Sequence, residues 1–160
     1  MSLPIAGAPR PPTHEPISMA TLMNLARELD EAMNMGGHAV LDACLVDEIA
    51  GDLGARPSHL YAAAALMTAI PFDQSEQVRF VVCAGGCQRW GAVDLLDTLV
   101  SMRAQRVERG ASSFGIVARR CLDTCDQAAV VRAHTPDGDG VLVGATPARL
   151  EEAVNMVCDP

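Results

Sequence analysis

Aromatic side chains are scarce in this chain: three Phe, one Tyr and one Trp make up 3% of its 160 residues. With a hydrophobic content of 49%, the core must therefore be built mainly from Ala, Val, Leu, Ile and Met. Lysine is absent, and all 12 basic residues are arginine, which reads as a bias of composition. Against 20 acidic residues they leave a net charge of −8. That balance argues against nucleic acid or an anionic membrane as partner, because both demand a basic surface. No apolar run approaches the ~18–20 residues that span a bilayer, so no direct membrane insertion is expected. The opening MSLPIAGAPRPPTHEP lacks a basic stretch followed by an apolar one. It does not read as a secretory signal, and its prolines suggest a flexible or polyproline-like arm. A soluble, cytoplasmic protein is the expectation.

Signatures of catalysis are missing too. No G-x-G-x-x-G follows a predicted strand and no Walker-type phosphate loop occurs, so nothing here should bind NAD, flavin or ATP. Asp137-Gly-Asp-Gly140 lacks the rest of a calcium loop. No C-x-x-C motif is present, which counts against a disulfide oxidoreductase. No Ser/His/Asp or Cys/His constellation can be assembled.

What is present divides near residues 71–77, PFDQSEQ. Residues 1–77 carry ten acidic residues and three Arg, a balance of −7; residues 78–160 carry ten and nine, a balance of −1. The organisation read from this is a flexible arm over 1–17, a helical bundle over 18–70, a linker over 71–77 and a second domain over 78–160. In the bundle, Ser18 caps a helix with Leu22, Leu25, Leu29, Ala32 and Met33 on one face, ending near Gly36-Gly37. A second helix runs from about Ala39 to Leu53, its stripe formed by Leu41, Leu45, Ile49 and Leu53, with Gly54 at its end. Ser58 caps a third, from His59 to about Ala69. Beyond the linker, strands are expected at Val78–Val82, Ser113–Ala118, Ala128–Ala133 and Val141–Gly144, the last two joined by a turn over 135–140. A long helix is expected over 91–109 and a final one after Thr146-Pro147, carrying Leu150, Val154 and Val157 inward. The order β-α-β then β-β-α, after a helical bundle, is a mixed α/β (α+β) fold with a thioredoxin-like domain on a small mixed sheet.

Six cysteines remain, four of them in two C-x3-C pairs: CAGGC (83–87) and CLDTC (121–125). Without a recognisable secretory signal, an even count argues for metal or redox chemistry more than for disulfides. Each pair follows a predicted strand, which places both at the same end of the sheet. Cys83, Cys87, Cys121 and Cys125 converging there would form a soft sulfur cage. Zinc and an iron–sulfur cluster both suit such a cage, and the spacing does not decide between them.

The segments VVCAGGCQRWGAVDLLDTL and RRCLDTCDQAAVV resemble the thioredoxin-like [2Fe–2S] ferredoxin family. That family supplies the small iron–sulfur subunit of NADH dehydrogenases, NAD-linked hydrogenases and NAD-dependent formate dehydrogenases. The resemblance implies one [2Fe–2S] cluster on Cys83, Cys87, Cys121 and Cys125. It implies an electron-transfer subunit, with FMN and NAD(H) held by a partner subunit rather than by this chain. The chain departs from the family at three points. Its first pair is one residue shorter, a loss of at most ~3.6 Å of reach. Asp123 and Ala129 stand where the family tends to have Gly and Pro. Tyr61–Met67 replaces an aromatic-rich segment, which fits a divergent member, or one from another complex, better than the respiratory enzyme.

Two other readings stand beside this one: a structural zinc module serving as a non-redox interaction domain, and a stand-alone ferredoxin. Around the cysteines, Gly85, Gly86 and Gly91 would let backbone amides approach the sulfurs, and Arg89, Arg119 and Arg120 would offset the negative charge of a cluster. Taken singly, each arginine is expected to be a solvated surface residue. Cys44 is expected to be small and buried, Cys158 an exposed thiol, and Trp90 a packing residue that could also shield a cluster. His14, His38, His59 and His134 have no ligand spacing and read as structural or surface residues. Arg103, Arg106 and Arg109 complement the dipole of the long helix and could form a docking stripe.

Overall fold

The computed structural model describes residues 14–67 and 70–159. They form five helices and a four-stranded mixed sheet, with a helical region preceding the sheet. Helix α1 (Met19–Gly36) starts where Ser18 Oγ accepts from Thr21 N–H and stops at Gly37 in the left-handed conformation, φ 66°. Its buried residues Leu22, Ala26, Leu29 and Met33 recur at spacings of four and three. Leu25 and Ala32 flank that stripe and are only partly buried.

Helix α2 (Ala43–Leu53) begins four residues later than the sequence suggests. Residues 39 and 40 bend the chain and Leu41 is held outside the helix because it pairs with Phe72: Leu41 N–H donates to Pro71 O at 2.9 Å and Asp73 N–H to Leu41 O at 2.9 Å. Asp42 then accepts from Leu45 N–H at 2.8 Å and caps the helix. Helix α3 (Pro57–Met67) places Ser58 inside its first turn, fully buried and with no partner for Oγ among the described residues, rather than at a cap. The expected end at Ala69 lies outside the described residues.

Strands β1 (Arg79–Cys83) and β2 (Gly115–Arg119) are parallel and connected by α4 (Ala92–Glu108). Strand β3 (Val131–Thr135) runs antiparallel to β1, and β4 (Gly138–Leu142) antiparallel to β3, giving the order β2-β1-β3-β4. Helix α5 (Pro147–Cys158) comes last, capped by Thr146. Both strands of the hairpin are displaced toward its tip from their expected positions. Thr135 pairs with Gly138, so the turn is only Pro136-Asp137, and Gly138-Asp139-Gly140 are strand residues. The Ala128–Ala129 peptide bond is cis.

One hydrophobic cluster runs through helices and sheet alike. Helix α3 is its hub, packing on α1, α2, α4 and β2. Four of the five aromatic rings are used in two pairs: Tyr61 stacks on Phe72 at 5.8 Å, and Phe80 meets Phe114 edge-on at 5.1 Å. Arg106 is no surface residue. Its side chain is 4% exposed and donates to Ser112 O at 2.7 Å and to both carboxylate oxygens of Asp159. It therefore clamps the end of α5 onto the end of α4 and takes no part in a docking stripe.

Candidate metal centre

Strands β1 and β2 are paired in register, Cys83 opposite Arg119. Because the two strands are parallel, the loops leaving their C-terminal ends emerge at the same end of the sheet. Cys83 is the last residue of β1, and Cys121 lies two residues beyond the end of β2. The backbone pairing continues past the strands, where Ala84 N–H donates to Arg119 O at 2.7 Å. Gly85 then passes so close to the other loop that a Cβ there would collide with the carbonyl oxygen of Arg120, whereas a Cβ on Gly86 would meet nothing within 4 Å. The Gly-Gly step is thus two different requirements, one for close approach and one for none. The Cys83 thiol reaches the same carbonyl at 3.6 Å.

The first cysteine pair is buried, the second exposed. Cys87 sits in a 3₁₀ turn, Gly86–Trp90, closed by Gly91 at φ 92°. A hydrogen bond from Cys87 lowers the Cys83 thiol to about 6, with further help from the backbone N–H groups of Gly85, Leu122 and Cys87. The same bond, together with burial, pushes Cys87 up. In the second pair Sγ of Cys121 and Cys125 are 3.5 Å apart, and Asp123 N–H donates to Cys121 Sγ at 3.3 Å. That contact is made from Asp123 in the left-handed conformation, φ 56°. Cys125 is raised first by its hydrogen bond with Cys121, then by charge on Cys121, with a smaller contribution from Cys83.

A tetrathiolate group asks for four soft donors on one side of the fold and for N–H groups directed at the sulfurs. This end of the sheet supplies both in kind. Among the described residues no three Cys, His, Asp or Glu side chains already stand together as a metal-holding group. Each pair is closed by a contact between its own two sulfurs, and the loops carrying them meet where Cys83 and Gly85 approach Arg120 and where Leu122 N–H faces the Cys83 sulfur.

The other expected residues are spread more widely. Arg89, Arg119 and Arg120 are exposed, and Arg120 contributes its backbone carbonyl to the junction of the loops. Trp90 is partly buried against the core. Cys44 is exposed, contrary to expectation, because α2 begins at Ala43 and buries Leu45, Val46, Ile49 and Ala50, leaving Cys44 just outside that stripe. Cys158 is half-buried rather than exposed, and burial raises its thiol. His14 and His134 lie beside Asp94 and Asp139, at 3.4 and 2.8 Å.

Gln88 was invisible to sequence reasoning. It is buried, donates to Ala84 O at 2.7 Å and accepts from Ile17 N–H at 2.8 Å. A lone glutamine carries no motif; only its burial beside Cys87 marks it.

No protein-family model matches this chain, and no curated protein shows significant sequence similarity to it. No described helix is long and apolar enough to cross a membrane.

Proposed function

We propose that Cys83, Cys87, Cys121 and Cys125 hold one [2Fe–2S] cluster and that the chain relays electrons as a subunit of a flavin-dependent, NAD(H)-linked oxidoreductase. The observation that carries this reading is the delivery of both C-x3-C pairs to one end of the parallel β1–β2 pair, with backbone N–H groups directed at the sulfurs. When bound, such a cluster takes up and gives back one electron at a time. Cys83, already favoured as thiolate, is suited to ligate without a strong base. Gly85 lets the two loops meet. The N–H groups of Gly85, Leu122 and Asp123 offset negative charge on sulfur, which makes added charge less costly. Cys121 and Cys125, being exposed, are the side from which an electron-exchanging partner can approach. With no other signature of catalysis in the sequence, the chain needs such a partner, and a subunit carrying FMN and the NAD(H) site is the one the family resemblance implies.

Anaerobic purification followed by absorption spectroscopy and metal analysis tests this. A brown protein with two iron and two acid-labile sulfides per chain is expected, and Cys121→Ser or Cys83→Ser should lower both. A colourless protein binding one zinc refutes the relay and favours the structural zinc module. An iron–sulfur protein that never associates with a flavoprotein would be the stand-alone ferredoxin.

A further inference from the structure

Strand alternation gives the sheet two unlike faces. Phe80, Val131 and Ala133 share one with α5, beside which α4 packs. The other face places Arg79, Val81, Val117, Arg119, Arg132 and His134 around a cavity of about 310 Å³ that no described helix lines. The register explains the grouping: Arg79 lies opposite His134 and Val81 opposite Arg132, while Val81 and Val117 are parallel partners. The two valines are buried, and arginine stems can cover such a floor while keeping their charges in water.

Two of these arginines are held in place by backbone. Arg79 Nη1 donates to Gln74 O at 2.9 Å and to Glu76 O at 3.1 Å, and Arg132 Nη2 donates to Leu122 O at 2.9 Å. No described carboxylate forms an ion pair with Arg79, Arg119 or Arg132, and His134 is matched by Asp139. Asp123 is the lining carboxylate. With His134 neutral, three positive charges face Asp123 and Asp139, a surplus of one on a chain whose net charge is −8. The cavity also reaches exposed Cys121.

The geometry points to this sheet face as the docking surface for a carboxylate-rich protein surface, the face of the partner that exchanges electrons through the Cys121–Cys125 side. The inference rests on the relay reading for its purpose. Charge complementarity selects the occupant: an acidic patch matches the arginines, while a long nucleic acid would meet the repulsion of the whole chain. Arginines around an exposed donor would also steer the encounter and orient the partner toward it.

The test titrates a fluorescein-labelled glutamate-rich peptide with the full chain, followed by fluorescence anisotropy at low and high salt. Saturable binding at low salt, weakened by salt, is expected. The Arg79→Gln/Arg119→Gln double variant should lose about tenfold in affinity. Arg119→Gln alone, which breaks no hydrogen bond, should lose a smaller part, and Arg27→Gln on α1 should lose none. Absence of saturable binding, or equal weakening by Arg27→Gln, overturns the proposal. Iron and sulfide measured on the same samples keep the two readings apart. Peptide binding without a cluster sinks the relay and leaves the surface; a cluster without peptide binding does the reverse.

Discussion

Replacing Gly85 by Ala should separate the two cysteine loops, and Gly86 supplies its own control. At Gly85 the added methyl would stand far inside van der Waals contact with the backbone carbonyl of Arg120. Because the obstacle is backbone, no side chain can turn away, and one loop must retreat by roughly 1 Å to restore an ordinary C···O separation. Overpacking of this kind costs about 1–3 kcal/mol. At Gly86 nothing stands within 4 Å, and its φ lies outside the left-handed region. Ala there is expected to be neutral or to gain about 0.4–1 kcal/mol by restricting the unfolded chain. The two variants should therefore differ by about 1–4 kcal/mol. For a chain of this length, 1 kcal/mol moves Tm by about 2–4 °C, so differential scanning calorimetry should place G85A roughly 2–16 °C below G86A. If the loops close together on a metal, G85A should also retain iron less well under a chelator, by tenfold for every ~1.4 kcal/mol lost. Equal Tm values for G85A and G86A would refute the claim that close approach, rather than flexibility, requires Gly85.

Three further outcomes are expected. Asp123→Gly should relieve the left-handed backbone and raise Tm by roughly 1–4 °C, corresponding to about 0.5–1 kcal/mol, whereas Asp123→Ala should not; equal effects would count against backbone strain as the cause. Arg106→Met keeps the apolar stem but strands the carbonyls of Ser112 and Cys158, and urea denaturation should show a loss of about 2–4 kcal/mol. In the reduced, metal-free protein the Cys83 thiol is depressed to about 6 from 9.0, so its contribution to stability is complete above about 9, shrinks as pH falls and is gone below about 6. Urea midpoints measured across that range should rise with pH, and Cys83→Ser should flatten the rise.

Much of this arrangement could be read from residue order, for identifiable reasons. Ser18, Thr146 and Pro147 mark helix starts because capping is local, and Gly37 and Gly54 mark stops for the same reason. The β-α-β, β-β-α order comes from periods of two and 3.6, and it brings the cysteine pairs to one end of the sheet. Long-range contacts account for the misreadings. Leu41 has helical spacing with Leu45, yet its pairing with Phe72 draws it out of α2 and, with the start at Ala43, leaves Cys44 exposed. Gly138-Asp139-Gly140 reads as turn, but pairing with β3 makes it strand. Arg106 looks like a dipole partner until Asp159, 53 residues away, claims it. Gln88 and the separate demands on Gly85 and Gly86 depend on neighbours that no periodicity reveals.

Gln88 ties the beginning of the described chain to the first cysteine loop. Ile17 donates to its side chain, His14 N–H donates to Arg89 O at 3.2 Å, and Gln88 in turn holds Ala84 O. Residues 14–17 thus act as a latch across the Cys83–Cys87 turn, and that turn cannot open without releasing them. Hydrogen exchange at Ile17 and Gln88 should accordingly keep the same pace. Shortening the chain past Ile17 should loosen the Cys83–Cys87 turn, and would shorten the lifetime of a cluster if the cysteines hold one, although no cysteine would have been touched.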